Sequence, residues 1–309
     1  MESEAQQLME RARRFVYRTA RPLDLARWKF HFENGSVDSV VQTLACFQNE
    51  DGGFGNAVEM DCWNPNSSPL QTWKAAEVLK ECGITDPQNE IMQGILKYLA
   101  SGKDFDPERC VWLAEIASNN DHPHAIWWTY KAESVPCMYN PTASLAGFYL
   151  RYGNRQDHFW ETALQIAQRN CSHWLACPSE DAHVTSCVME LYEYCRQAQL
   201  EIGDMEALRQ SLIEAVRQQI RRDEEKWDTD YVCMPSHFIL SPQSMFYPSN
   251  AEQVHKEIKR IMQSQLPDGS FEVPWKWWTE YPEYEVAKMW WKTDFCIKYV
   301  RLLKAFEIA

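Results

Sequence analysis

Glycine is scarce in this chain, at 11 of 309 residues, and runs of alternating apolar and polar residues between turn signals are scarcer still. That excludes a fold of closely spaced β-hairpins. Basic charge is also short: 31 Lys and Arg face 44 Asp and Glu, a formal charge of −13. A phosphate-tracking face would have to be built against that field, so nucleic acid is not an expected partner. No stretch reaches the roughly 20 apolar residues of a transmembrane span. The start Met1-Glu2-Ser3-Glu4 lacks the basic-then-apolar order of a secretory leader, and the expected location is the cytoplasm. The 11 cysteines are scattered singly, with no CxxC pair, and their odd number argues against a disulfide framework; small buried hydrophobes are expected instead. GxGxxG, P-loop, GxSxG, HExxH and DDxxD motifs are all missing, so no nucleotide, serine-hydrolase, zincin or magnesium-diphosphate chemistry has a motif to stand on. No cofactor is expected.

What the chain does have is apolar periodicity of helical type and a surplus of aromatics, with 14 Trp, 13 Tyr and 13 Phe. The helices come in pairs. The spacing predicts Ala5 to Tyr17 with Leu23 to Phe32, Val37 to Phe47 with Ser68 to Cys82, and Asn89 to Ala100 with Thr142 to Tyr152. Phe159 to Trp174 with Ala182 to Gln197, Met205 to Arg222 with a weak Pro235 to Met245, and Ala251 to Gln263 with Lys292 to Phe306 complete six pairs. Two of the connections share one pattern: Gln48-Asn49-Glu50-Asp51-Gly52-Gly53-Phe54 and Gln265-Leu266-Pro267-Asp268-Gly269-Ser270-Phe271 both read QxxDG[GS]F. Asp-Gly suits a tight turn with a left-handed residue, the aromatic covers helix ends, and Gln can bond exposed backbone groups.

Six such pairs predict an all-α (α/α) barrel or toroid as one domain over residues 1–309, with inner helices around a central cavity. An open solenoid would keep a near-constant period, whereas these connections run from about 4 to about 40 residues. The longest, residues 101–140, carries Trp112, His122, His124, Trp127 and Trp128. Such a connection suits the cover of a site.

The segments QNEDGGFGN (Gln48 to Asn56) and QLPDGSF (Gln265 to Phe271) resemble the repeats of the terpenoid cyclase and protein prenyltransferase α/α toroid, the prenyltransferase/squalene-oxidase or QW repeats. Asp51 to Trp73 is similar to a bacterial branch of that group. The resemblance implies the toroid and a cavity for a mostly apolar, isoprenoid-type small molecule. The family's chemistry does not carry over residue by residue. The DxDD proton donor of the cyclases is absent, Asp228-Thr229-Asp230 being the nearest spelling. The DFYH stretch that supplies the zinc-binding His of the prenyltransferases reads Asp294-Phe295-Cys296 here, so zinc is not expected.

Position then nominates the site. The starts of inner helices and the connections before them face one mouth of a toroid, which places Asp61, Trp63, Asn64, Gln71, Asn140, Asp181, His183, Trp291 and Asp294 together. Glu59 and Asp61 suit general acid or base work with raised pKa values, aided by Asp294. Trp63, Asn64, Gln71, Asn140, His183 and Trp291 would line the pocket. Asn64, Asn66 and Asn140 also fit helix capping, and Asp294 also fits stabilisation of a helix N-terminus. Aromatic faces serve carbocations and equally the sugar rings of a carbohydrate-active (α/α) barrel hydrolase or lyase with two lumen carboxylates. They would also plug a non-catalytic binding toroid.

Overall fold

The computed structural model describes residues 4–308. Helix accounts for 58% of the chain, and among the described residues the one named sheet is the two-residue pair of β1 (Phe105–Asp106) and β2 (Val111–Trp112). The fold is therefore all-α. In order come α1 (Glu4–Thr19), α2 (Pro22–Phe32), α3 (Val37–Ala45), α4 (Pro69–Glu81), α5 (Glu90–Ala100) and α6 (Thr142–Tyr152). They are followed by α7 (Trp160–Ala176), α8 (Ala182–Gln197), α9 (Met205–Asp223), α10 (Tyr247–Ser264) and α11 (Tyr284–Ala305).

Local chemistry sets most helix starts. Pro22 and Pro69 occupy the first helical position, where the missing N–H costs nothing. Ser68 caps α4 by accepting from Gln71 N at 3.2 Å, Asn89 caps α5 through Ile91 N at 3.0 Å, and Asp181 caps α8 through His183 N at 2.7 Å.

Two expectations are corrected. The weak helix over Pro235 to Met245 is a single 3-10 turn, Pro235–His237; the chain leaves helical geometry at Phe238, and Pro242 and Pro248 follow. The segment expected to pair with α9 is thus a turn and not a helix. The last helix begins at Tyr284, not Lys292, so Trp290 and Trp291 lie on it and Asp294 sits deep inside it.

The chain divides into two compact units. The first comprises residues 4–43, 216–276 and 282–308, where α1 packs on α11 and α2 through Leu8, Ala12, Phe15 and Val16. The second comprises Leu44–Ala215 and Trp277–Tyr281. Its centre is α6, buried from Thr142 to Leu150 and packed between α7 and α8. A Cβ at Gly147 would come 2.9 Å from Leu191 Cα, and this close approach brings Ser144 of α6 onto Glu190 of α8.

The two repeat connectors share one hydrogen-bond plan. Gln48 Nε2 donates to Gly52 O at 2.9 Å and to Ile91 O of α5 at 3.1 Å. Gln265 Nε2 donates to Gly269 O and to Leu8 O of α1, both at 2.9 Å. Asp51 and Asp268 each accept from the backbone N two residues on, at 3.0 and 2.9 Å. Gly52 and Gly269 have φ of +90° and +94°, and a Cβ on either would collide with a helix carbonyl, Gly94 O or Arg11 O. The glutamine thus staples its turn to another helix. Removing it strands carbonyls, so Gln48→Ala and Gln265→Ala should each cost about 1–3 kcal/mol, read as a lowered denaturant midpoint at unchanged slope.

Candidate functional site

In the second unit the chain leaves the first connector through Asn56 and Ala57, both left-handed with φ near +60° (59° and 62°). Asn56 N donates to Asn64 O at 2.9 Å, closing a loop over residues 56–64. The long 101–140 connection pins that loop: Trp63 N donates to Pro123 O and Ala125 N to Asp61 O, each at 2.9 Å. Asn119 is the buried hub beneath, accepting from Asn64 Nδ2 at 2.9 Å and donating to Trp128 O at 3.0 Å. His124 is buried; its Nδ1 bonds His122 O at 2.6 Å and its Nε2 meets the Thr129 hydroxyl at 3.0 Å.

The Trp277–Tyr281 segment completes the cluster. Trp277 O accepts from Ile126 N at 2.9 Å, and the Trp277 indole donates to Asp61 Oδ1 at 2.6 Å. The Trp63 ring stands perpendicular to Trp277 at 6.3 Å. Asp61 is 3% exposed and Glu59 6%. Burial, reinforced by the Asp61 charge, pushes the Glu59 carboxyl up to about 8. Burial likewise raises the Cys62 thiol to about 12, which makes it inert.

A second carboxylate group lies on facing helices. Trp73, Lys74, Glu77 and Lys80 fall on one side of α4 by helical spacing. Lys74 Nζ lies 3.2 Å from Glu77 Oε2, and Lys80 Nζ lies 3.1 Å from Glu190 Oε1 and 2.8 Å from Glu193 Oε2. Glu190 Oε2 also accepts from the Trp73 indole at 3.1 Å and the Ser144 hydroxyl at 2.6 Å. Burial alone would raise the Glu190 carboxyl, but Lys80 and these donors outweigh it and hold it low. Glu77 goes the other way: burial and the Glu190 charge raise it against the pull of Lys74. The Glu77 side chain is nonetheless 33% exposed and that of Lys80 31%.

Sequence reasoning missed Glu77, Lys80, Ser144 and Glu190. Of the nominated residues, Glu59, Asp61, Trp63, Asn64 and Gln71 come together. Gln71 Nε2 donates to Asn64 O at 2.8 Å, and Asn64 braces the loop through Ser118 and Asn119 instead of capping a helix. Asn140 and His183 stand at the starts of α6 and α8, His183 exposed; Asp181 is a cap, and Asn140 caps nothing, its N–H bonding Cys137 Sγ at 3.4 Å. Trp291 and Asp294 belong to the first unit. Trp291 packs edge-on against Trp275 at 5.1 Å, and Asp294 is ion-paired with Arg27 at 2.8 Å. A carboxylate so engaged is tied into the Arg21, Asp24 and Arg27 network.

A cleft of about 400 Å³ in the first unit, walled by Glu224, Asp228, Lys256 and Arg260, holds none of these groups. Its charges are spent on each other in Lys256–Glu224 and Arg260–Asp228 pairs of 2.6 and 2.7 Å. The Glu59, Glu77 and Glu190 carboxyls lie in the second unit. No protein-family model, curated protein or solved structure matches the chain.

Glu59 also has a measurable linkage. Its folded pKa lies above the unfolded value, so the native state holds a proton that the unfolded chain has released between pH 4.5 and about 8. Stability present below that window is lost on rising through it. Glu59→Gln should remove on the order of a few kcal/mol of this loss, flattening the pH dependence of the urea midpoint between pH 5 and 9.

Proposed function

We propose that the chain is an acid–base enzyme on an α/α toroid, with Glu77 as proton donor and Glu190 as its ionised partner. The substrate is hydroxyl-bearing, of carbohydrate type, and stacks on Trp73. One observation carries this reading: two carboxyls on facing helices have opposite environments, Glu190 held by Lys80, Trp73 and Ser144, and Glu77 held by Lys74. Such divergence separates a proton donor from a neighbour that stays ionised. The closed ring is supported by the shared connector plan and by the last connector's bond to the first helix, Gln265 to Leu8; a solenoid leaves its end repeats unjoined.

Exposure moves the reacting role from Asp61 to Glu77, since a group that touches substrate needs open surface. The charged lining also favours a polar ligand over an apolar one. The isoprenoid reading rests on the repeat resemblance and on aromatics, of which Trp275, Trp291, Phe295 and Tyr299 in the first unit pack on one another at 5.1 to 5.8 Å. Incubating the protein with soluble neutral and uronic oligosaccharides, and following new chain ends, separates the two. Cleavage of one of them is expected; turnover of a polyprenyl alcohol or diphosphate with no oligosaccharide cleaved would return the assignment to the isoprenoid class.

A further inference from the structure

We infer that Trp277 and Asp61 are positioning residues of this site, acting through Glu59. The indole fixes the Asp61 carboxylate, and the Asp61 backbone fixes the Glu59 carboxyl toward Lys74 and Glu77. The use of this arrangement rests on the Glu77 and Glu190 reading; its geometry does not.

The chain of contacts is short and buried. Trp277 Nε1 donates to Asp61 Oδ1 at 2.6 Å, and Asp61 N donates to Glu59 Oε1 at 3.3 Å. Trp277 is itself held, its carbonyl by Ile126 N and its ring by Trp63. Thr279 Oγ1 donates to His124 O at 3.1 Å and Tyr281 packs on the His124 ring at 5.5 Å, which anchors the segment on its other side. The charged and titratable groups facing Glu59 are Asp61 on its own loop and Lys74 and Glu77 on α4. Beside an ionised Asp61 that has an indole donor, a second buried carboxyl keeps its proton. Glu59 is then a neutral carboxylic acid at pH 7, facing the side of α4 that carries the proton donor. A proton held on Glu59 keeps a second negative charge away from Glu77, whose own charge acts on Glu59.

Infrared difference spectra of the full chain, labelled with ¹³C-glutamate, test this without any substrate. The wild type should show a protonated glutamate carbonyl at pH 7 that disappears in Glu59→Gln. In Asp61→Asn, which keeps an acceptor for the indole but removes the charge, the band should titrate away at lower pH. In Trp277→Phe it should change frequency and midpoint. A merely structural clamp would leave band and midpoint unmoved in folded variants. That outcome, or no band removed by Glu59→Gln, overturns the inference. Should Trp277→Phe fail to fold, Asp61→Asn alone decides. The ionisation of Glu77 is assigned separately through Glu77→Gln, so failure here and failure of the acid–base reading are told apart.

Discussion

Glu77→Gln should lower turnover of the responsive oligosaccharide by about 10²- to 10⁴-fold, the usual contribution of a positioned general acid, while leaving the folded state intact. The amide keeps the shape and one acceptor for Lys74 but has no proton to give. Because Glu77 is one-third exposed and bonded to Lys74, its loss strands little buried polarity, and thermal unfolding should stay close to wild type. KM should change less than kcat, since the lost interaction is made in the transition state. A variant with full kcat would remove Glu77 from the reaction.

The second large effect is on stability. Glu190→Ala removes one acceptor from Lys80, Trp73 and Ser144 at once, and Glu190 is 7% exposed. Breaking a buried charge pair from one side costs about 3–5 kcal/mol, because the other partner stays desolvated. Lys80 retains Glu193 at 2.8 Å, which places the expected loss at the lower end. Replacing Lys80 by Met in the same chain should restore part of it, and the non-additivity of the two changes measures the coupling. Urea unfolding of the four proteins reads it directly; an unchanged midpoint in Glu190→Ala would mean that the group is not the buried hub described. The same burden makes Glu190 a poor first choice for a kinetic test and Glu77 a good one.

What could be seen in the sequence was local. Proline at first helical positions, Ser68, Asn89 and Asp181 as caps, and the QxxDG[GS]F turns are encoded within a few residues, and helix existence follows from them. The glutamines were legible for the same reason, although their partners in α5 and α1 were not. Pro235 to Met245 misled because its apolar spacing suits a helix while Pro242 and the non-helical backbone at Phe238 end it. Asp294 misled because the start of α11 was placed two turns late, and because Arg27, 267 residues away in sequence, leaves no local trace.

The site was legible in its loop half. Two acids, two asparagines and a tryptophan within a few residues of a glycine turn announced Glu59, Asp61, Trp63 and Asn64. Trp277, which orients Asp61 from 216 residues away, could not be paired from spacing. Glu190 did leave a signal: it falls three residues after Cys187 and four before Tyr194, on the buried stripe of α8. A carboxylate on such a stripe needs a partner, and α4 offers Lys80 with Trp73 and Glu77 on the same side.

The eleven cysteines are all free, and seven of them are buried: Cys62, Cys82, Cys171, Cys187, Cys195, Cys233 and Cys296. They behave as small core residues, and burial pushes Cys187 and Cys296 well above the usual thiol range. No described helix is long and apolar enough to cross a membrane.

The central claim is that Glu77 is the proton donor and the buried Glu190 its permanently ionised partner, and it can be read from their ionisation alone. ¹³C NMR titration of glutamate-labelled protein, with the two carboxyl signals assigned through Glu77→Gln and Glu190→Gln, follows both groups in one sample. Glu77 should titrate above the ordinary glutamate value of 4.5 and Glu190 below it. Two carboxyls titrating together near 4.5 would contradict the account.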